Sequence, residues 1–153
     1  MPGRNYRGDE GEPVDIAWAY YNQRFTLAED RGVLEKLIQS IGWQNDLAPR
    51  QWAQWYAVVL EYKPELVVEL GRGFGNSTAL FCQALRRLGA GEIISFCLSR
   101  EWETRSRPKL EKWVSPDWFN RLHVSRENIL KVDFTRVFKG YKRALVLWDT
   151  HGF

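Results

Sequence analysis

The chain has 153 residues, 44% hydrophobic and 27% charged, which suits one soluble domain with a real core and is too apolar for a disordered one. Its net charge of +3 is spread along the sequence, with no basic block and no basic–aromatic alternation, so nucleic acid is not an expected partner. No apolar run approaches a membrane span and the opening MPGRNYRGDEGEP has no signal-peptide core, so the expectation is a cytoplasmic protein without membrane contact.

Residues 1–12 are polar, rich in glycine and charge, and read as a flexible arm. Residues 13–63 read as an N-terminal helical cap or flank. Leu34, Leu37, Ile38 and Ile41 recur at helical spacing, which predicts a helix over about 27–41, stopped by Gly42. Trp52, Trp55, Tyr56, Val59 and Leu60 repeat that spacing and predict a second helix over 49–62. Pro49 suits its first turn, and Pro64 lies just past its end. The tryptophans of this front part are expected to pack between helices.

From residue 64 the period changes. ELVVEL is a short apolar run ended by glycine, the pattern of a buried strand. Leu80, Phe81, Ala84, Leu85 and Leu88 mark one face of a helix that LGAG ends. EIISFCL, RLHVSREN and RALVLWD read as three further strands, with helices near 108–114 and at DFTRVF between them. Strands alternating with helices, through connections too long for hairpins, call for an α/β fold. Its parallel sheet would have about four strands, with helices on both faces. Ligands bind such sheets at the carboxyl ends of the strands, so the loops after Leu70, Leu98, Ser125 and Trp148 form the expected site edge. Cys82 and Cys97 fall in apolar patterns and read as free thiols.

The stretch ELGRGFGNST carries the most chemistry. Gly71, Gly73 and Gly75 sit where a strand turns into a helix, and the amides of Asn76, Ser77 and Thr78 would open that helix toward an anionic group. A phosphate loop would need a lysine that is missing here. A dinucleotide fingerprint would need glycine where Asn76 stands. An acid, Glu69, followed by GxGxG resembles motif I of the class I S-adenosylmethionine-dependent methyltransferases, over about residues 65–153. The resemblance implies a Rossmann-like cofactor-binding half-domain over 64–153. Glu69, Gly71, Gly73, Gly75 and Asn76 would surround the methionine end of S-adenosylmethionine. From the residues alone, Glu69 also reads as a carboxylate that ties down its own loop. The ribose-binding acid expected after the second strand is replaced by Cys97, which leaves Ser99 or Glu101 for the ribose. Glu127 and Asn128 stand where the family meets the adenine, and Asp149 ends the fourth strand on the same edge.

LVLWDTHGF resembles the segment after the fourth strand in small-molecule O-methyltransferases. That likeness makes His151 a candidate general base, Asp149 a candidate ligand for a divalent metal, and a small molecule the expected methyl acceptor. His123 lies in a strand pattern and reads as packed. In the family the sheet continues past a fourth strand, so the resemblance implies a sequence shortened at its C-terminal side. ALVLW would then be an open edge at which copies of the chain pair as a homo-oligomer. Two other readings compete: a non-catalytic methyltransferase-like module that binds a partner chain, and an NAD-binding oxidoreductase domain.

Overall fold

A computed structural model of the chain describes residues 14–42 and 48–150. The arm expected over residues 1–12 lies outside the described residues. Three helices come first: α1 (Ile16–Asn22), α2 (Arg24–Ile41) and α3 (Pro49–Tyr62). Alternating strands and helices follow: β1 (Leu66–Leu70), α4 (Asn76–Leu88), β2 (Glu92–Phe96), α5 (Arg107–Leu110), β3 (Leu122–Ser125), α6 (Phe134–Val137) and β4 (Ala144–Trp148).

The helical pattern of the front part begins earlier than its apolar spacing predicts. Asp15 caps α1, its carboxylate accepting from the amides of Ala17 at 2.8 Å and Trp18 at 3.1 Å. The periodicity there is masked because Ile16, Trp18, Tyr20, Tyr21 and Phe25 are large apolar residues left exposed. The helix expected over 108–114 is also displaced. A π-helical turn at Trp102–Ser106 leads into the single α-turn of α5, which puts Trp102 fully inside the protein.

The sheet order is β3-β2-β1-β4 and every pairing is parallel. β1 is therefore central and buried along its whole length, which explains why LVVEL shows no polar alternation. Its side chains divide between two cores. Val67 faces a layer made by α2, α3 and α4, with Leu37, Tyr56, Val59, Leu80, Leu85 and Trp118. Leu66, Val68 and Leu70 face the other side with Phe96, where Phe134, Phe138 and Tyr141 cover them. Crossing from β3 to β4 carries the chain past β2 and β1 to the opposite edge. The strand order thus reverses between β1 and β4, the position where open α/β sheets bind ligands.

One polar link joins the front helices within the first core. The Tyr56 hydroxyl, fully buried, donates to Asp30 at 2.7 Å, and Asp30 also faces Arg87 of α4 at 3.6 Å. Burial first, and then the bond to Asp30, push the Tyr56 hydroxyl far above its ordinary pKa, so it stays a donor. Replacing Tyr56 by Phe leaves a buried carboxylate short of one donor. The expected cost is about 1–3 kcal/mol, read as a lower urea midpoint with unchanged slope.

Candidate functional site

The carboxyl ends of β1, β2 and β4 meet at the glycine loop. The Gly71 amide donates to the Phe96 carbonyl at 2.9 Å, and the Asp149 amide donates to the Leu70 carbonyl at 2.8 Å. A turn bond from the Gly75 amide to the Arg72 carbonyl, at 2.8 Å, then folds the chain into α4. The loop's three glycines all have positive φ, but they are needed for different reasons. A Cβ on Gly71 would stand 2.1 Å from the Asp149 carbonyl oxygen, and one on Gly75 would stand 2.2 Å from the Trp102 ring. Both are pressed against protein. Above Gly73 no atom of the described residues lies within 4 Å of where a Cβ would be. It is the one glycine of the loop that turns an open backbone face toward the site edge.

Glu69 lies directly behind this loop and is fully buried. Its carboxylate accepts from Thr78 Oγ1 at 2.6 Å and from the hydroxyls of Ser77 and Ser95. It thus joins β1 to β2 and to the first turn of α4, and the hydroxyls of Ser77 and Thr78 point back into the protein. Arg72, 2% exposed, sits beside it. One guanidinium nitrogen donates to the Ser95 carbonyl at 2.7 Å, and another faces Glu103 at 3.3 Å. Burial outweighs the three hydroxyls and the Arg72 charge, and holds the Glu69 carboxyl above the ordinary glutamate range. Glu69 therefore has the geometry of the loop tie that was its alternative reading. Arg72, Ser95 and Glu103, which complete the cluster, carry no motif that would single them out in the sequence. The weak sign was an arginine between two glycines of the turn.

At the end of β2 a second polar chain reaches the edge. β2 stops at Phe96, so Cys97 begins the loop, half-buried and reduced. Its thiol bonds the Ser99 hydroxyl at 3.3 Å and also receives the Gly73 amide. Burial opposes the thiolate, but the bonds from Ser99 and Gly73 and the nearby Arg72 together bring its pKa below that of an ordinary thiol. Ser99 also bonds Glu101, whose carboxyl is held low mainly by that hydroxyl. Cys97, Ser99 and Glu101 thus form one connected run at the position expected to meet a ribose. Beside it, Leu98 exposes its side chain.

The remaining candidates spread along the same edge. Glu127 is exposed after β3, with its amide on the Ser125 hydroxyl at 3.2 Å. Asn128 caps a short 3₁₀ turn, its side-chain oxygen accepting from the Leu130 amide at 3.0 Å, which commits that oxygen to the loop. Asp149 follows β4 and is half-buried, its backbone stacked against Gly71. Among the described residues no three histidine, cysteine or acidic side chains gather as a metal site would require. His151 lies outside the described residues. His123 is not packed as expected: it is exposed on β3, with Nε2 at 2.8 Å from Glu92 Oε2 across the sheet, because its strand lies at an edge.

No protein-family model matches the sequence, and no curated protein matches it. Solved structures do resemble the fold. An O-methyltransferase from Bacillus cereus in complex with SAH aligns with a TM-score of 0.54 at 16% identity, over 88% of this chain and 64% of that one. An SAH-bound methyltransferase from Podospora anserina aligns with a TM-score of 0.52 at 18% identity, over 89% and 60%. The chain thus has the Rossmann-like α/β fold of the class I S-adenosylmethionine-dependent methyltransferases, and it spans less than two thirds of the length of these structures. Among the described residues, no helix is long and apolar enough to cross a membrane.

Two outcomes test this geometry. Gly71→Ala and Gly75→Ala force a Cβ into backbone or a buried ring at positive φ and should leave little folded protein. Gly73→Ala meets no atom and should cost only about 1–2 kcal/mol, all three read by thermal melting. For Glu69, the folded state holds the proton more tightly than the unfolded chain. Its contribution to stability is fully present below the unfolded pKa and is lost as pH rises through the raised folded value. Denaturation midpoints should therefore fall from the ordinary glutamate range upward in the wild type, and this fall should be absent in Glu69→Gln.

Proposed function

We infer that this chain binds S-adenosylmethionine at the glycine-loop edge, as the cofactor-binding part of a methyltransferase that acts on a small-molecule acceptor. The observation that carries the reading is the open face of Gly73. It lies at the switch point between β1 and β4, beside the start of the helix α4, with Gly71 and Gly75 locked against protein on either side. Such a loop lets a ligand lie on bare backbone, and the start of a helix favours the carboxylate that the cofactor's methionine end carries. The two similar structures both hold SAH, the product form of that cofactor.

The proposed roles are argued from where each residue lies on this edge. The Gly73 backbone supports the ligand from below, while Glu69 holds the loop and the first turn of α4 in register from behind rather than reaching the ligand. Ser99 and Glu101, linked through the Cys97 run, offer a hydroxyl and a carboxylate for the ribose diol. Glu127 supplies an exposed acceptor for the adenine amino group, with Asn128 shaping its loop. When bound, the cofactor supplies an activated methyl group, so the protein's task is mainly to align the acceptor with it. Asp149, which follows β4 on the same edge, is the residue proposed for the acceptor side. His151, two residues on, is the residue proposed as base for an acceptor that must lose a proton, and a divalent metal at Asp149 would serve the same acceptors. The two reduced cysteines fit a cytoplasmic location.

A second reading, a non-catalytic module of the same fold that binds a partner chain, is favoured by one observation: at the end of β2, where a ribose-binding carboxylate would be expected, stands the thiol of Cys97, a poor substitute for a bidentate acceptor.

Calorimetric titration with S-adenosylhomocysteine and separately with NADH tests these readings. Saturable binding of the former is expected. In Gly73→Asp, affinity should drop by about two orders of magnitude while the fold survives, because aspartate tolerates a left-handed backbone and its carboxylate would occupy the open face. Saturable NADH binding alone would sink the methyltransferase reading. Folded protein that binds neither would favour the non-catalytic module.

A further inference from the structure

Arg72 and Gly73 are neighbours in the glycine loop, and between them they hold both ends of the run that stands at the ribose position. At the near end the Gly73 amide donates to the Cys97 thiol. At the far end Arg72 Nη2 reaches Glu103 Oε1 at 3.3 Å, while Nη1 donates to the Ser95 carbonyl at 2.7 Å and to the Ser95 hydroxyl at 3.1 Å. The links between the two ends are continuous. Ser99 bonds the Cys97 thiol through both its hydroxyl and its amide, and its hydroxyl also bonds Glu101. The Glu101 carboxylate takes in addition the amides of Arg100 and of Glu101 itself. These contacts close into a ring that starts and ends on two adjacent loop residues.

Arg72 is suited to the far anchor. Its side chain has no exposed surface, and a buried charge is costly unless it is paired. A lysine ammonium could answer Ser95 or Glu103, but the planar fork of arginine serves both at once. Glu103 belongs to the π-helical turn, which is wider than an α-turn, so successive side chains diverge less. Trp102 and Glu103 thus both reach the glycine loop, one against Gly75 and the other on Arg72. Unlike its partner, the Glu103 side chain is 33% exposed, so it can be changed without opening the core.

We propose that Arg72 and Glu103 are positioning residues. Their bridge fixes the Cys97–Glu101 run against Gly73 and so sets where Ser99 and Glu101 meet the ribose hydroxyls of the cofactor. Neither of the two touches the cofactor, and their role rests on the S-adenosylmethionine site inferred above. A run tethered through Cys97 alone would have to be ordered on binding, and that ordering would be taken from the affinity. Held at both ends, it is ordered in advance.

Two measurements test the bridge. Hydrogen exchange on the unliganded protein reads the run through the amides of Ser99, Arg100 and Glu101. In Glu103→Ala their exchange should quicken about tenfold, with β1 and α4 unchanged. Glu103→Gln keeps an acceptor oxygen for Arg72 and should stay near the wild type. Calorimetry with S-adenosylhomocysteine and with its 2′,3′-dideoxy analogue reads the consequence for binding. Glu103→Ala should weaken S-adenosylhomocysteine about tenfold and the analogue hardly at all, because the analogue has no ribose hydroxyls to be met. Unchanged exchange over residues 97–101 overturns the proposal. So does a rise spread over the whole chain, or an equal loss of affinity for both ligands, since either marks a merely structural residue. A wild type that binds no S-adenosylhomocysteine sinks the cofactor site instead, and the exchange result still decides whether the bridge holds the run.

Discussion

A carboxylate with no access to water must be satisfied by the protein around it, and much of this chain is arranged to satisfy Glu69. Three hydroxyls, from Ser77, Thr78 and Ser95, converge on it from a helix and a neighbouring strand. The contact fixes where α4 begins relative to β1, and so where the glycine loop must run. Arg72 extends the cluster to Glu103 and the π-helical turn, whose Trp102 in turn closes over Gly75. A buried polar cluster of this kind demands one geometry, since a misplaced helix start would strand a charge in the core.

That demand explains the division of labour within the loop. Two of its glycines are required by the fold, one against the β4 backbone and one against an indole. The third is left with an empty face. A loop built only to turn a strand into a helix would have no reason to leave Gly73 at positive φ with nothing above it. The rigidity beneath and the openness above are what make the edge suitable for a ligand laid on backbone. The fold it shares with SAH-bound methyltransferases is consistent with that use.

Much of this was legible in order along the chain. The period change after Pro64, the uniform burial of LVVEL and the alternation of strands with helices follow from local pattern, and the parallel sheet follows from connection length. The site was legible where chemistry is encoded by spacing, as in Glu69 followed by Gly71, Gly73 and Gly75. It was not legible where partners come from distant elements. Ser95 and Glu103 look like ordinary polar residues until the sheet brings them to Arg72. His123 read as packed because a strand pattern does not say whether the strand ends up central or at an edge. The early start of the front helices was hidden by apolar side chains that point into solvent.

The sequence by itself determined the class of the fold, the place of the glycine turn and the free state of both thiols, because each depends on residues close together in the chain. Only the tertiary structure decided that Glu69 is consumed by hydroxyls rather than turned to the open edge. It alone decided that Gly73 is the glycine left bare, and that Cys97, Ser99 and Glu101 form one connected run. Each of those depends on which strand lies beside which. Strand order is set by crossovers that bring together residues far apart in the chain, and no local pattern records it.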